Sequence, residues 1–306
     1  MRITNTFVSI FLVTFLIGYV SVLPVKKVSG PEKLEKNGAP FKMENIFLEE
    51  FSKPKAGRKD VQTKIEMPVD AEILEENNDW QNDSEIEAEL VETGEGFHGD
   101  EIEAKSGETW IGLFKENNNY FLRSTKIEVT RVEDSIVDDA GEKTGKSVAV
   151  KGKAKPLFLV KNAKMLRKGR VAKLYDGNYY EDQTLDEDSE KLRSLRIGFT
   201  RQFEMNGTTY TLRVKKGVNK NQQPIVALIL ESEGKSQTLH SLESFGADDY
   251  LGELNWVGDL DGDTKPDFYF DLYFNDNVEY KNLFLSTKPK KGKLVKKVAT
   301  FIITGC

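Results

Sequence analysis

The stretch RIGFTRQFEMNGTTYTLRV, Arg196 to Val214, carries the reading of the fold. At its centre stands Asn206-Gly207, a pair in which both residues tolerate the positive φ that a two-residue hairpin loop demands. Such a loop sets Met205 opposite Thr208, Phe203 opposite Tyr210, Arg201 opposite Leu212 and Phe199 opposite Val214. The apolar residues then gather on one face, so turn chemistry and period-two alternation agree on a half-buried antiparallel pair.

The same texture extends on both sides of the hairpin. WIGLF (Trp110 to Phe114), NYFLRSTKIEVTRV (Asn119 to Val132), KSVAVKGKAKPLFLVKN (Lys146 to Asn162), RVAKLYDGNYY (Arg170 to Tyr180), PIVALILESEGKSQTLH (Pro224 to His240), NLFLS (Asn282 to Ser286) and VKKVATFII (Val295 to Ile303) are short runs rich in β-branched and aromatic residues. Gly, Asn and Asp separate them. No long segment has a 3.6-residue period, and DEDSEKLRSLR (Asp186 to Arg196) is at most a short helix. The expected architecture is all-β, an antiparallel sandwich or barrel-like domain over residues 106–306, with no fixed-period repeat of the kind that builds a propeller.

The N-terminal third differs. Phe7 to Leu23 is seventeen residues without a charge behind Arg2. Residues 1–23 read as a signal peptide, with an uncleaved N-terminal anchor as the alternative. Residues 24–108 hold 11 basic and 22 acidic side chains, and Asp70 to Glu108 alone holds 15 carboxylates against Lys105. On composition, residues 24–105 are expected to be an acidic, mostly disordered linker, either a solvated spacer or an arm that binds a basic partner or folds back on the domain. An arm of that sign repels a phosphate backbone, so no nucleic acid partner is expected. Contact with a membrane would come only through the first segment. The single cysteine, Cys306, excludes an intramolecular disulfide.

One loop carries chemistry. In GDLDGDTKPDFYFDL (Gly258 to Leu272), Asp259, Asp261, Asp263 and Asp267 occupy positions 1, 3, 5 and 9 of a tight connection between two strands. Carboxylates at that spacing converge on one point, with the Lys265 carbonyl as a further oxygen, and an all-oxygen set of that kind suits Ca²⁺. Mg²⁺ demands a stricter octahedron, and Zn²⁺ prefers His or Cys, which this loop lacks. After the loop, Phe268, Phe270, Leu272 and Phe274 fall on one face of the strand and Asp267, Tyr269, Asp271 and Tyr273 on the other. The competing view is an Asp/Gly-rich turn that binds no ion.

DLDGDTKPD resembles the calcium loop of FG-GAP and VCBS repeats, the integrin type, whose pattern is D-x-D-G-D-G-x-x-D between strands. The resemblance spans about fifteen residues and one copy, so the family's propeller is not implied. It departs at Thr264, where the pattern has Gly. That position needs positive φ, which a β-branched residue resists, so the expectation is a distorted loop or weakened affinity. Trp110 near the domain start, this loop near its end and the terminal Gly-Cys also resemble a group of exported bacterial proteins.

Enzyme motifs are missing. There is no Gly-x-Ser-x-Gly elbow, phosphate-cradling Gly loop or His-Glu-x-x-His, and the only histidines are His98 and His240. Three readings follow. The first is an exported calcium-stabilised β module, periplasmic, cell-surface or extracellular, that binds a protein or glycan or acts as a scaffold. The second is a secreted hydrolase using a carboxylate pair. The third is a structural envelope protein with a metal-free loop.

Overall fold

In a computed structural model of the chain, the described residues are 71–77, 86–152, 154–177, 193–246, 249–275 and 278–304. All of them fall within one compact unit, Thr63–Cys306. The N-terminal apolar segment, most of residues 24–85 and Cys306 lie outside the described residues.

Every named element is a strand. The first seven are β1 (Glu89–Val91), β2 (Gly94–Phe97), β3 (Thr109–Glu116), β4 (Asn119–Val132), β5 (Gly145–Val150), β6 (Pro156–Lys161) and β7 (Gly169–Asp176). A middle group follows: β8 (Ser194–Arg196), β9 (Thr200–Met205), β10 (Thr208–Val218), β11 (Pro224–Ser232) and β12 (Lys235–Glu243). The last four are β13 (Tyr250–Asp259), β14 (Asp267–Asn275), β15 (Val278–Leu285) and β16 (Lys296–Thr304).

The expected sandwich or barrel resolves into two antiparallel sheets. The larger runs β1-β6-β3-β4-β7-β13-β14-β15-β16, with β2, β5 and β8 attached off this path. Its two ends approach each other, because the Glu87 and Ala88 amides both donate to the Val298 carbonyl at 3.1 Å. The sheet is therefore a nearly closed barrel. The smaller sheet is β12-β11-β10-β9. Its β9–β10 hairpin has the register read from the sequence, with Phe203 opposite Tyr210 and Leu212 opposite Arg201. Asn206 and Gly207 take φ of 49° and 74°, the left-handed pair that the turn needs.

Two cores share the strand β14, because its side chains alternate. Phe268, Phe270 and Leu272 pack outward with Leu254, Val257 and Phe284 against Phe203, Leu212, Val226 and Leu228 of the smaller sheet. Tyr269 points the other way and packs with Trp110, Phe158, Trp256 and Leu283 inside the barrel. Removing such a side chain from water is worth about 1.5–3 kcal/mol. The two clusters thus clamp both faces of β14.

The acidic segment departs from expectation. Residues 24–105 were expected to be a mostly disordered linker, yet this segment supplies β1 and β2, so the folded domain begins before residue 106. The physical reason is apolar residues interleaved with the carboxylates: Leu90, Val91, Phe97, Ile102 and Ala104 are buried in the barrel core. Most of the acids between them are exposed or half-buried, with Glu92 the buried exception, and Glu89 pairs with Lys161 at 3.3 Å. Further upstream, Leu74 packs on Ile225, Ala227 and Ile229 of the smaller sheet. The Leu74 amide donates to the Val218 carbonyl at 2.8 Å. A Cβ on Gly217 would stand 2.4 Å from the Glu72 carbonyl oxygen, so glycine is what lets this stretch lie down. For residues 71–77, folding back on the domain is what the structure shows.

Candidate metal centre

The strands β13 and β14 pair in register from Gly258↔Asp267, so the loop is a hairpin connection whose first and last aspartates sit at the strand ends. Leu260 is buried in the barrel core and anchors the loop from below. Gly262 has φ of 76°, and a Cβ there would come within 2.9 Å of Arg167 Cδ. Thr264 takes φ of 65°. In that left-handed conformation a β-branched side chain carries a strain of roughly 1–2 kcal/mol.

One oxygen from each of Asp259, Asp261 and Asp267 lies within 4.8 Å of the others. A single cation with oxygen ligands at about 2.3–2.6 Å can bridge such a group. The three carboxylates could hold a metal ion, and the donor set fits a hard cation. Asp263, expected in the same set, is not one of these three but shares Ser286 Oγ with Asp267. The Asp263 carboxylate accepts the Lys265 amide at 2.9 Å and lies 3.6 Å from the Lys265 ammonium.

The carboxylates are also held by donors. Asp259 accepts the amides of Gly262 at 2.6 Å and Thr264 at 3.1 Å. Asp261 accepts the Asp263 amide at 3.1 Å and the Thr287 hydroxyl. Asp267 accepts the Leu260 amide at 2.7 Å and the Ser286 amide at 2.8 Å. Ser286 Oγ lies 2.9 Å from Asp267 and 3.0 Å from Asp263, and its single proton can serve only one of them at a time.

These donors do not balance the charge. Asp267 is fully buried. Burial, with the neighbouring Asp261, pushes its carboxyl well above the usual range despite the Ser286 and Leu260 donors. Burial likewise raises Asp261, helped by Asp263 and Asp259. A cation among the three would remove this penalty. Sequence reasoning missed Ser286 and Thr287. Their signal lay in the β14–β15 hairpin, whose register sets Phe268 opposite Phe284 and so brings the residues after Leu285 beside Asp267.

A second ionisable group lies on the barrel face of the same strands. Tyr269 Oη donates to Glu92 Oε1 at 2.5 Å. Burial pushes Glu92 up to about 7, against the opposing pull of Lys281 and Tyr269. Lys281 is 1% exposed, pairs with Asp271 across the strands and lies 3.0 Å from Glu279. Burial holds Asp271 up at about 6 in spite of that lysine.

The histidines are accounted for. His240 is buried, and its Nε2–H donates to the Tyr273 carbonyl at 2.8 Å. Burial depresses it to about 4, which keeps the ring neutral. His98 Nδ1 lies 2.5 Å from Asp134 Oδ2, and this bond raises the imidazole. No family model matches the chain, and no curated protein or solved structure matches it.

Proposed function

We propose that this chain is an exported β-domain protein whose 259–267 loop takes Ca²⁺ as a structural ion, the domain serving as a binding or scaffolding module. The observation that carries the reading is Asp267, a fully buried carboxylate grouped with two others, none of which forms a salt bridge among the described residues. Oxygen-only donors on a short loop favour Ca²⁺ over Zn²⁺, and the FG-GAP-like spacing supports the same ion. Export is supported by the uncharged Phe7 to Leu23 segment behind Arg2. An ion that binds only the folded state stabilises a protein with no intramolecular disulfide, and extracellular modules of this kind bind at about 0.1–1 mM.

A hydrolase reading would rest on Glu92 and Asp271, two carboxylates raised by burial. Both are shut off from solvent at 6% and 4% exposure, and Tyr269 and Lys281 engage them, which favours a structural role. The test of the metal reading is a thermal melt of the full chain in EDTA, millimolar Ca²⁺ and millimolar Mg²⁺, repeated on Asp261→Ala. A Tm raised by Ca²⁺ in the native chain and unmoved in the variant is expected. A native chain indifferent to Ca²⁺ refutes it.

A further inference from the structure

The loop that follows Ser286 and Thr287, between β15 and β16, reads KPKKGKLVKK from Lys288 to Lys297, six lysines in ten residues with no carboxylate among them. Lys288, Lys290 and Lys291 are exposed. Such a run repels itself unless anions lie along it, and carboxylates of the chain's own acidic segment do so. Glu75 reaches Lys293 at 3.3 Å, and Glu87 reaches Lys296 at 2.8 Å. Beside them Glu72 pairs with Lys215 at 3.0 Å. Asn77 is tied to the smaller sheet through the Ser241 hydroxyl at 2.9 Å and the Leu239 carbonyl at 2.9 Å.

Under this loop is a cavity of about 110 Å³ whose walls include Asn77, His240, Asn282, Lys290, Lys293 and Lys297. It has about the room of one acidic side chain and is walled in part by lysines, while the Asn77 and Asn282 amides already donate to the Thr238, Leu239 and Tyr280 carbonyls. Its other walls, Leu272 and Phe284, are apolar and suit the methylenes of a glutamate.

We propose that the β15–β16 loop is a docking surface for an extended acidic polypeptide, and that Glu75 and Glu87 occupy part of it as an internal competitor. This names the partner of the binding module proposed above and rests on that reading, but it does not depend on the metal. An extended chain, not a flat membrane, is the fit, because the carboxylates that already meet the loop come from a strand of polypeptide and because the cavity takes a side chain. The partner presents closely spaced Glu or Asp. Docking would displace Glu75 and Glu87 from Lys293 and Lys296.

The test is fluorescence anisotropy of a labelled oligoglutamate on the full chain, in EDTA and again in Ca²⁺. The native chain binds the peptide at low ionic strength, and binding weakens toward about 0.15 M salt, where the Debye length is about 8 Å. Surface pairs of this kind are modest, so neutralising Lys288, Lys290 and Lys291 together to Gln weakens binding about tenfold. Glu75→Gln with Glu87→Gln tightens it severalfold by removing the competitor.

Equal binding by the native chain and the triple lysine variant overturns the proposal, as does a double glutamate variant that binds no more tightly. Tighter capture by phosphatidylserine vesicles, read by co-sedimentation, overturns it in favour of a lipid surface. Binding is expected to be the same in EDTA and Ca²⁺. Loss of peptide binding with an intact Ca²⁺ response in the melt therefore refutes this surface alone, and the converse refutes only the metal site.

Discussion

Replacing Glu92 by Gln should turn a pH-dependent weakness of the barrel into a pH-independent contact. Glu92 is buried at 6% exposure, receives the Tyr269 hydroxyl at 2.5 Å and is held at about 7 against an ordinary 4.5. A raised folded value means that the folded state keeps a proton that the unfolded chain has released. Its contribution to stability is fully present below about pH 4.5, is lost as pH rises, and levels off above about pH 7. At about 1.4 kcal/mol per pH unit, the loss across that window is about 3 kcal/mol. Glutamine keeps an oxygen for Tyr269 and never ionises, so Glu92→Gln matches the native chain near pH 5 and exceeds it near pH 8. For a domain of this size the gain at the higher pH is about 5–10 °C in Tm. His240 titrates in the same range but is present in both proteins and cancels in the difference, whereas Asp271 is coupled to Glu92 and ionises somewhat more readily in the variant. The assay is a series of melts of both proteins in EDTA from about pH 5 to pH 8. A Tm difference that stays constant across the series refutes the reasoning, because Glu92 would then hold no extra proton in the folded state.

Two further outcomes are expected at the loop. Thr264→Gly removes the strain at φ of 65° while keeping the amide that donates to Asp259, and should raise stability by up to about 1 kcal/mol after the entropy cost of glycine. The same variant should tighten Ca²⁺ in calorimetry, and an unchanged or weaker affinity would show that the threonine costs the site nothing. Ser286→Ala takes away the hydroxyl shared by Asp267 and Asp263, and should lower stability by about 2 kcal/mol in chemical denaturation, as for a hydrogen bond to a charged group. An unmoved midpoint would mean that the Ser286 amide alone holds Asp267.

The difference between what the chain discloses and what it hides follows sequence distance. The β9–β10 hairpin was legible to the residue because Asn206-Gly207 and the alternation around it are local. Barrel closure was not, since β1 pairs with β6 and β7 with β13, contacts for which no short pattern speaks. The acidic segment was misread because its charge conceals an apolar minority: Leu74, Leu90, Phe97 and Ile102 bury themselves while Glu75, Glu87 and Glu89 find lysines. At the loop, Asp259, Asp261 and Asp267 could be found because one turn holds them all. The hydroxyls of Ser286 and Thr287, 19 and 26 residues from their partners, enter only through the β14–β15 register.

The strand β14 explains why a group that could hold a metal ion and a carboxyl raised by burial occur in one small domain. Its apolar face, Phe268, Phe270 and Leu272, is covered by the smaller sheet, while its other face, Asp267, Tyr269 and Asp271, is covered by the rest of the barrel. Burying a polar row is costly unless each member is paired. Asp271 meets this with Lys281, and Tyr269 donates to Glu92, a bond that favours the carboxylate while burial favours its proton. Asp267 meets it with amides and a hydroxyl that leave its charge uncompensated. A cation in the proposed site and protons on the acids are then two ways of neutralising the same buried row. Because burial raises both Asp261 and Asp267, a cation in the proposed site competes there with protons, so chelation should cost the fold more near pH 8 than near pH 5. A Ca²⁺-induced rise in Tm that is as large near pH 5 as near pH 8 would separate the two and show that the loop binds its ion without regard to the strand behind it.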